Sequence, residues 1–131
     1  MNTSFYHKAV LLIAGVTAIG IGGTILASPE VFYASYGIAL PADVTLTNEL
    51  RASGASVVML GILTLAGLVF VRFATASTLL AAAMFLAYGA ARALSIGIDG
   101  QPDGGMVTAM IAELVIGAAS LAALVSVRKT V

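Results

Sequence analysis

Apolar positions fall into four long runs, and the charged residues mark where each run ends. No charge interrupts the chain between Lys8 and Glu30, which predicts a first span at 9–27. The pattern predicts further spans at 52–71, 75–96 and 106–127, the last holding a single charge, Glu113. A helix crossing a hydrocarbon core of about 30 Å needs about 20 largely apolar residues. Backbone groups in lipid must be satisfied within the structure, which leaves helices or closed barrels. The runs are long, rich in Ala, Leu and Gly, and lack a period of two, so all four are read as helices. The predicted fold is all-α: one integral-membrane domain over residues 1–131, built as a bundle of four transmembrane helices.

Only Arg72 separates the second and third runs. One helix over both, roughly forty residues, would be about 60 Å long, so the chain must reverse near 71–75. Thr75 is the expected cap of the next helix. The first run exceeds the apolar stretch of a signal peptide, and Ile25 and Ala27 make a poor cleavage site, so the span is expected to be retained.

The first connecting loop has its own punctuation. Ser28-Pro29-Glu30 reads as a helix start, with a hydroxyl cap, a proline at the first position and an acid near the positive end. Tyr36-Gly37 reads as its stop. A short interfacial helix follows, with Phe32, Tyr33 and Tyr36 in the aromatic belt. An irregular aromatic loop folded over the bundle is the alternative. Pro41 and Asp43 then announce the second span before Glu49, and the stretch from Gly97 to Gly105 is dense in turn residues.

Composition agrees with the runs. Of 131 residues, 60% are hydrophobic and 9% charged, against about 25% charged in soluble domains. That excludes an ordinary water-soluble enzyme and a disordered chain. Zero formal net charge offers nothing to attract phosphate, so no nucleic-acid partner is expected. The absence of cysteine excludes disulfides, thiolate catalysis and Cys-ligated metals. Lys8, Arg72, Arg128 and Lys129 lie on one side of a four-span topology, against Arg51 and Arg92 on the other, which places both termini in the cytoplasm.

Helices in lipid associate where small residues let backbones approach. Gly15, Gly22 and Gly23 supply this in the first span, Gly54 and Gly61 in the second, Ala83, Ala87 and Ala90 in the third, and Gly117 and Ala118 in the fourth. A faint repeat relates Glu49-Leu50-x4-Ala55-Ser56-x3-Leu60 to Glu113-Leu114-x4-Ala119-Ser120-x3-Leu124, and suggests similar depths for the two acids.

Charges inside spans normally face the bundle interior and pair. Glu49, Arg51, Arg92 and Glu113 form the expected polar cluster, with Arg92–Glu113 as its central contact. Tyr88, one turn before Arg92 on the same face, is placed to donate to a carboxylate. Ion pairs that fix helix register account for all four charges; a ligand or proton site is the competing reading, and the pairing is favoured. The single histidine, His7, lacks partner ligands and reads as a solvated interfacial residue. Asp99 and Asp103 read as turn residues and the methionines as packing, so no metal, catalytic residue or cofactor is expected.

The Gly-rich first span, Ser28-Pro29-Glu30 through Tyr36-Gly37, Glu49-Leu50-Arg51-Ala52, Ala91-Arg92, Asp99-Gly100-x-Pro102 and Glu113-Leu114 occur in an order that resembles a known family. This is the four-helix membrane family described as domain of unknown function 4345, distantly similar to DoxX-like proteins. The resemblance spans nearly the whole chain. It implies a multi-pass protein of the bacterial inner membrane with no activity or cofactor to carry over, and it implies that the Glu/Arg cluster belongs to a family pattern. The expected function is non-enzymatic: an accessory subunit of a larger membrane complex, or a binder of an apolar or lipid ligand. The alternative is a small homodimeric proton-coupled transporter using Glu113 or Glu49, and an Arg/Glu enzyme acting on lipid heads is a third reading.

Overall fold

Ser4 begins the first helix, its hydroxyl accepting from the His7 N–H. The computed structural model describes residues 4–128. Helix α1 runs Phe5–Ala27 and stops where Pro29, which has no N–H and would clash with the preceding turn, takes over. Pro29 instead opens the short helix α2, Pro29–Ala34, with Glu30 in its first turn. The Ser28 hydroxyl makes no capping bond. Gly37, at φ 74°, turns the chain out of α2 through the left-handed region.

Asp43 caps α3, Val44–Val69, accepting from the amides of Thr45 and Leu46. The helix therefore begins eight residues before position 52 and five before Glu49, as Pro41 and Asp43 announce. The reversal that follows uses neither Gly nor Pro. A 3-10 turn at Val71–Phe73 changes the direction. Phe70 packs edge-on against Phe73 with centroids 5.9 Å apart. The Arg72 guanidinium lies 4.7 Å from the Phe73 ring centroid, a cation–π contact. Helix α4, Ala74–Asp99, grows directly from this turn, so Thr75 is not its cap. Gly100, at φ 99°, ends it. Asp103 then starts α5, Gly104–Arg128, accepting from the Gly105 amide at 2.8 Å.

The four long helices pack as a bundle in cyclic order α1, α3, α4, α5. Two tight pairs dominate. In α1/α3 the backbones touch: a Cβ on Gly22 would lie 2.7 Å from the Gly54 carbonyl oxygen, and one on Gly61 2.9 Å from that of Gly15. In α4/α5 leucines fill glycine notches, Leu114 against Gly89 and Leu86 against Gly117. Gly23 meets no neighbour. Ala83, Ala87, Ala90 and Ala118 are exposed, so those four expected interface positions face outward instead. Ala81, Ala82 and Gly89 occupy the buried side of α4.

The pairs are joined at the end that carries the termini. The Ser77 hydroxyl donates to the Leu63 carbonyl at 2.7 Å. Tyr6 donates to the Ala119 carbonyl at 2.9 Å. Midway lies an apolar core of Ala14, Ala18, Val57, Ala81, Met84 and Phe85. Toward the opposite end, beneath α2, the pairs separate. Lys129, used in the charge asymmetry above, lies outside the described residues.

Candidate functional site

A cavity of about 370 Å³ occupies the space where the helix pairs separate. All four long helices contribute: Ile21 and Ile25 from α1, Val57 from α3, Met84, Phe85, Tyr88 and Arg92 from α4, and Met106 and Glu113 from α5. Phe32 and Tyr33 of α2 complete it at the loop end. Its size lies at the lower end of the range for small-molecule sites, and its mostly apolar wall with a few converging polar groups is their usual make-up.

Arg92 and Glu113 supply the polarity. Arg92 lies seven residues from the end of α4 and Glu113 nine from the start of α5, about 10 Å and 14 Å along the helices. Antiparallel neighbours bring them together: Arg92 Nε donates to Glu113 Oε2 at 2.8 Å. This is the length of a charge-assisted hydrogen bond. The Glu113 side chain is 9% exposed and that of Arg92 30%. The guanidinium also directs Nη1 to the Met106 sulfur at 3.0 Å, which fixes its plane. Arginine carries five N–H donors, so donors remain on the side that lines the cavity.

The other residues of the expected cluster lie elsewhere or act differently. Arg51 is exposed and donates from Nη1 to the Leu26 and Ala27 carbonyls, at 2.5 and 3.0 Å. It therefore closes the C-terminus of α1, where orphan carbonyls and the helix dipole favour a cation. Glu49 is exposed, about 8 Å into α3. The depth relation suggested by the repeat does not hold. Tyr88 lines the cavity, but among the described residues its hydroxyl makes no hydrogen bond to Glu113. Phe32 packs edge-on against both Tyr33 and Tyr36, at 5.2 and 5.4 Å between centroids. Phe32 and Tyr33 are half-buried and line the cavity.

A second cavity, about 230 Å³, opens between α1 and α5. Tyr36 lies at its loop end, over Gly105. It shares Ile21, Phe85 and Glu113 with the first, so these three side chains separate two openings of one cleft.

His7 was misplaced by sequence reasoning. Its side chain is 1% exposed, and Nε2 lies 2.5 Å from the Thr78 hydroxyl of α4. That hydroxyl donates to the Ala74 carbonyl at 2.7 Å. Its one proton is committed, so the imidazole donates from Nε2, and among the described residues the buried Nδ1 has no hydrogen-bond partner. The signal was present in the spacing. His7, Val10, Leu11 and Ala14 sit at i, i+3, i+4 and i+7 and share the buried face of α1. Among the described residues no three His, Cys, Asp or Glu side chains come together to hold a metal ion.

The family model described as "Domain of unknown function (DUF4345)" matches residues 6–124, from Tyr6 to Leu124. The chain belongs to that family. The match reaches into all four long helices and takes in the residues lining the two cavities described above. No curated protein and no solved structure matches the chain.

Proposed function

We infer that this DUF4345 chain, with four helices long and apolar enough to cross a membrane, is a multi-pass membrane protein. We propose that it is a non-enzymatic binder that holds an apolar or lipid-derived ligand in the cleft between its two helix pairs. The observation that carries this reading is the 370 Å³ cavity, apolar over most of its wall, with the part-buried Arg92–Glu113 pair on one side. A pair serving only helix register needs no empty space beside it; close packing is the default of protein interiors. In this reading the protein sits in the bacterial inner membrane with both termini cytoplasmic.

The test is native mass spectrometry of the full chain released from nanodiscs made with its own membrane lipids. The wild type is expected to retain a bound small molecule, and Ile21→Trp, which fills the cavity wall, to lose it. A wild type that carries nothing, or a variant that carries the same mass undiminished, overturns the proposal.

A further inference from the structure

The cavity has a side opening, and its position narrows what can enter. Ser53 on α3 and Tyr88, Ala91 and Ser95 on α4 all line the cavity, and all four are exposed. They form the two lips of a gap between α3 and α4. Among the described residues, the side-chain hydrogen bond between those helices is at the other end, where Ser77 bonds Leu63 and fills the notch at Gly67. Measured along their helices, the lips lie between about 6 and 17 Å from the loop end. Half of a hydrocarbon core is about 15 Å. The gap therefore faces acyl chains rather than water.

The charges that line the cavity are Arg92 and Glu113, and they neutralise each other. A ligand bearing a net charge would leave one charge uncompensated in a site opening on lipid, where charges are costly. Beside that pairing the site offers donors in the guanidinium N–H groups left over from Glu113 and Met106 and in the Tyr88 hydroxyl, with the Glu113 carboxylate as an acceptor. Below them lie Ile25, Val57 and Met84. From this geometry we infer that the ligand is a neutral single-chain amphiphile whose head accepts hydrogen bonds (an ester, carbonyl or hydroxyl), and that it enters sideways from the leaflet at the loop end, between α3 and α4. This rests on the binder reading above and adds the class of ligand and its route.

Three photoactivatable probes test it in nanodiscs holding the full chain. They share one diazirine-bearing alkyl chain and end in an alcohol, a carboxylate or a trimethylammonium. The alcohol is expected to label peptides of the cavity wall about tenfold more than either charged probe, which corresponds to about 1.4 kcal/mol of discrimination. Ala91→Trp and Ser53→Trp, at exposed positions where the fold is not at risk, are expected to cut that labelling severalfold by closing the gap. Equal labelling by all three heads, or preference for a charged one, overturns the ligand class while leaving a binder. Undiminished labelling in both Trp variants overturns the route. Failure of every probe to label cavity residues, together with an empty wild type in the mass spectrum, overturns the binder reading itself.

Discussion

At the residue scale, two polar pairs, one buried and one part-buried, differ in what they ask of their partners. Thr78 accepts from His7 and donates to Ala74. Replacing Thr78 with valine keeps the shape and removes both bonds, which strands a buried imidazole N–H. That is expected to cost about 1–3 kcal/mol, read as a lowered midpoint in denaturant titration of the detergent-solubilised protein. Replacing both partners, as His7→Leu with Thr78→Val, is expected to recover much of that loss; simple addition of the two single effects would show the residues uncoupled. For Arg92–Glu113 the expectation is asymmetric. Glu113→Gln leaves an uncompensated guanidinium, but Arg92 is partly exposed, so the loss is expected below the 3–5 kcal/mol of fully buried pairs, at about 1–3 kcal/mol. Arg92→Met with Glu113→Met is expected to be close to neutral in thermal unfolding and to abolish selection among ligand heads. Arg92 and Glu113 were legible from sequence because charges are so rare in these runs that few pairings exist. His7 was not, because its position beside Lys8 suggested a water boundary while its helical spacing placed it on the buried face.

At the element scale, the helices themselves follow from the runs, whereas their contacting faces do not. A soluble helix advertises its buried side by its polar one; these helices are apolar all round, so no stripe indicates which small residues meet a neighbour. Gly22 and Gly23 are adjacent and chemically identical, yet one abuts the α3 backbone and the other meets nothing. The alanines at 83, 87 and 90 are misread for the same reason. Helix starts failed differently. Asp43 and Gly37 act as their types suggest, but Ser28 and Thr75 do not cap, because a proline and an aromatic 3-10 turn already determine those entries. The glycine contacts make a paired prediction. Gly54→Leu forces a side chain where a Cβ already lies 2.7 Å from the Leu26 amide nitrogen, and backbone cannot yield as a side chain can. Loss of the folded species in size-exclusion chromatography is expected. Gly20→Ala and Gly23→Ala point into open space and are expected to be neutral or to stabilise by up to about 1 kcal/mol through helix propensity. Equal effects at Gly54 and Gly23 would contradict the pairing of α1 with α3.

At the scale of the whole molecule, the two ends of the bundle do different work. Near the termini, cross-helix hydrogen bonds from Tyr6, His7 and Ser77 reach three different helices and hold them together. Near the loops the pairs part, and the cleft has α2 over it. No local pattern encodes such a cavity; it arises from where four helices are tied and where they are not, which is why the sequence yields the lining residues singly and never the space between them. The asymmetry acquires meaning only with a direction. In the orientation proposed above, with the termini in the cytoplasm, the tied end lies on the cytoplasmic side and the cleft opens toward the outer leaflet. The chain has no cysteine, so single cysteines report sidedness without background. Gln101→Cys, in the exposed turn between α4 and α5, is expected to react with a membrane-impermeant maleimide in intact bacterial cells. Val71→Cys, in the turn between α3 and α4, is expected to react only after the membrane is broken. The opposite pattern would invert the molecule and route ligand entry through the cytoplasmic leaflet, with the geometry of the cleft unchanged.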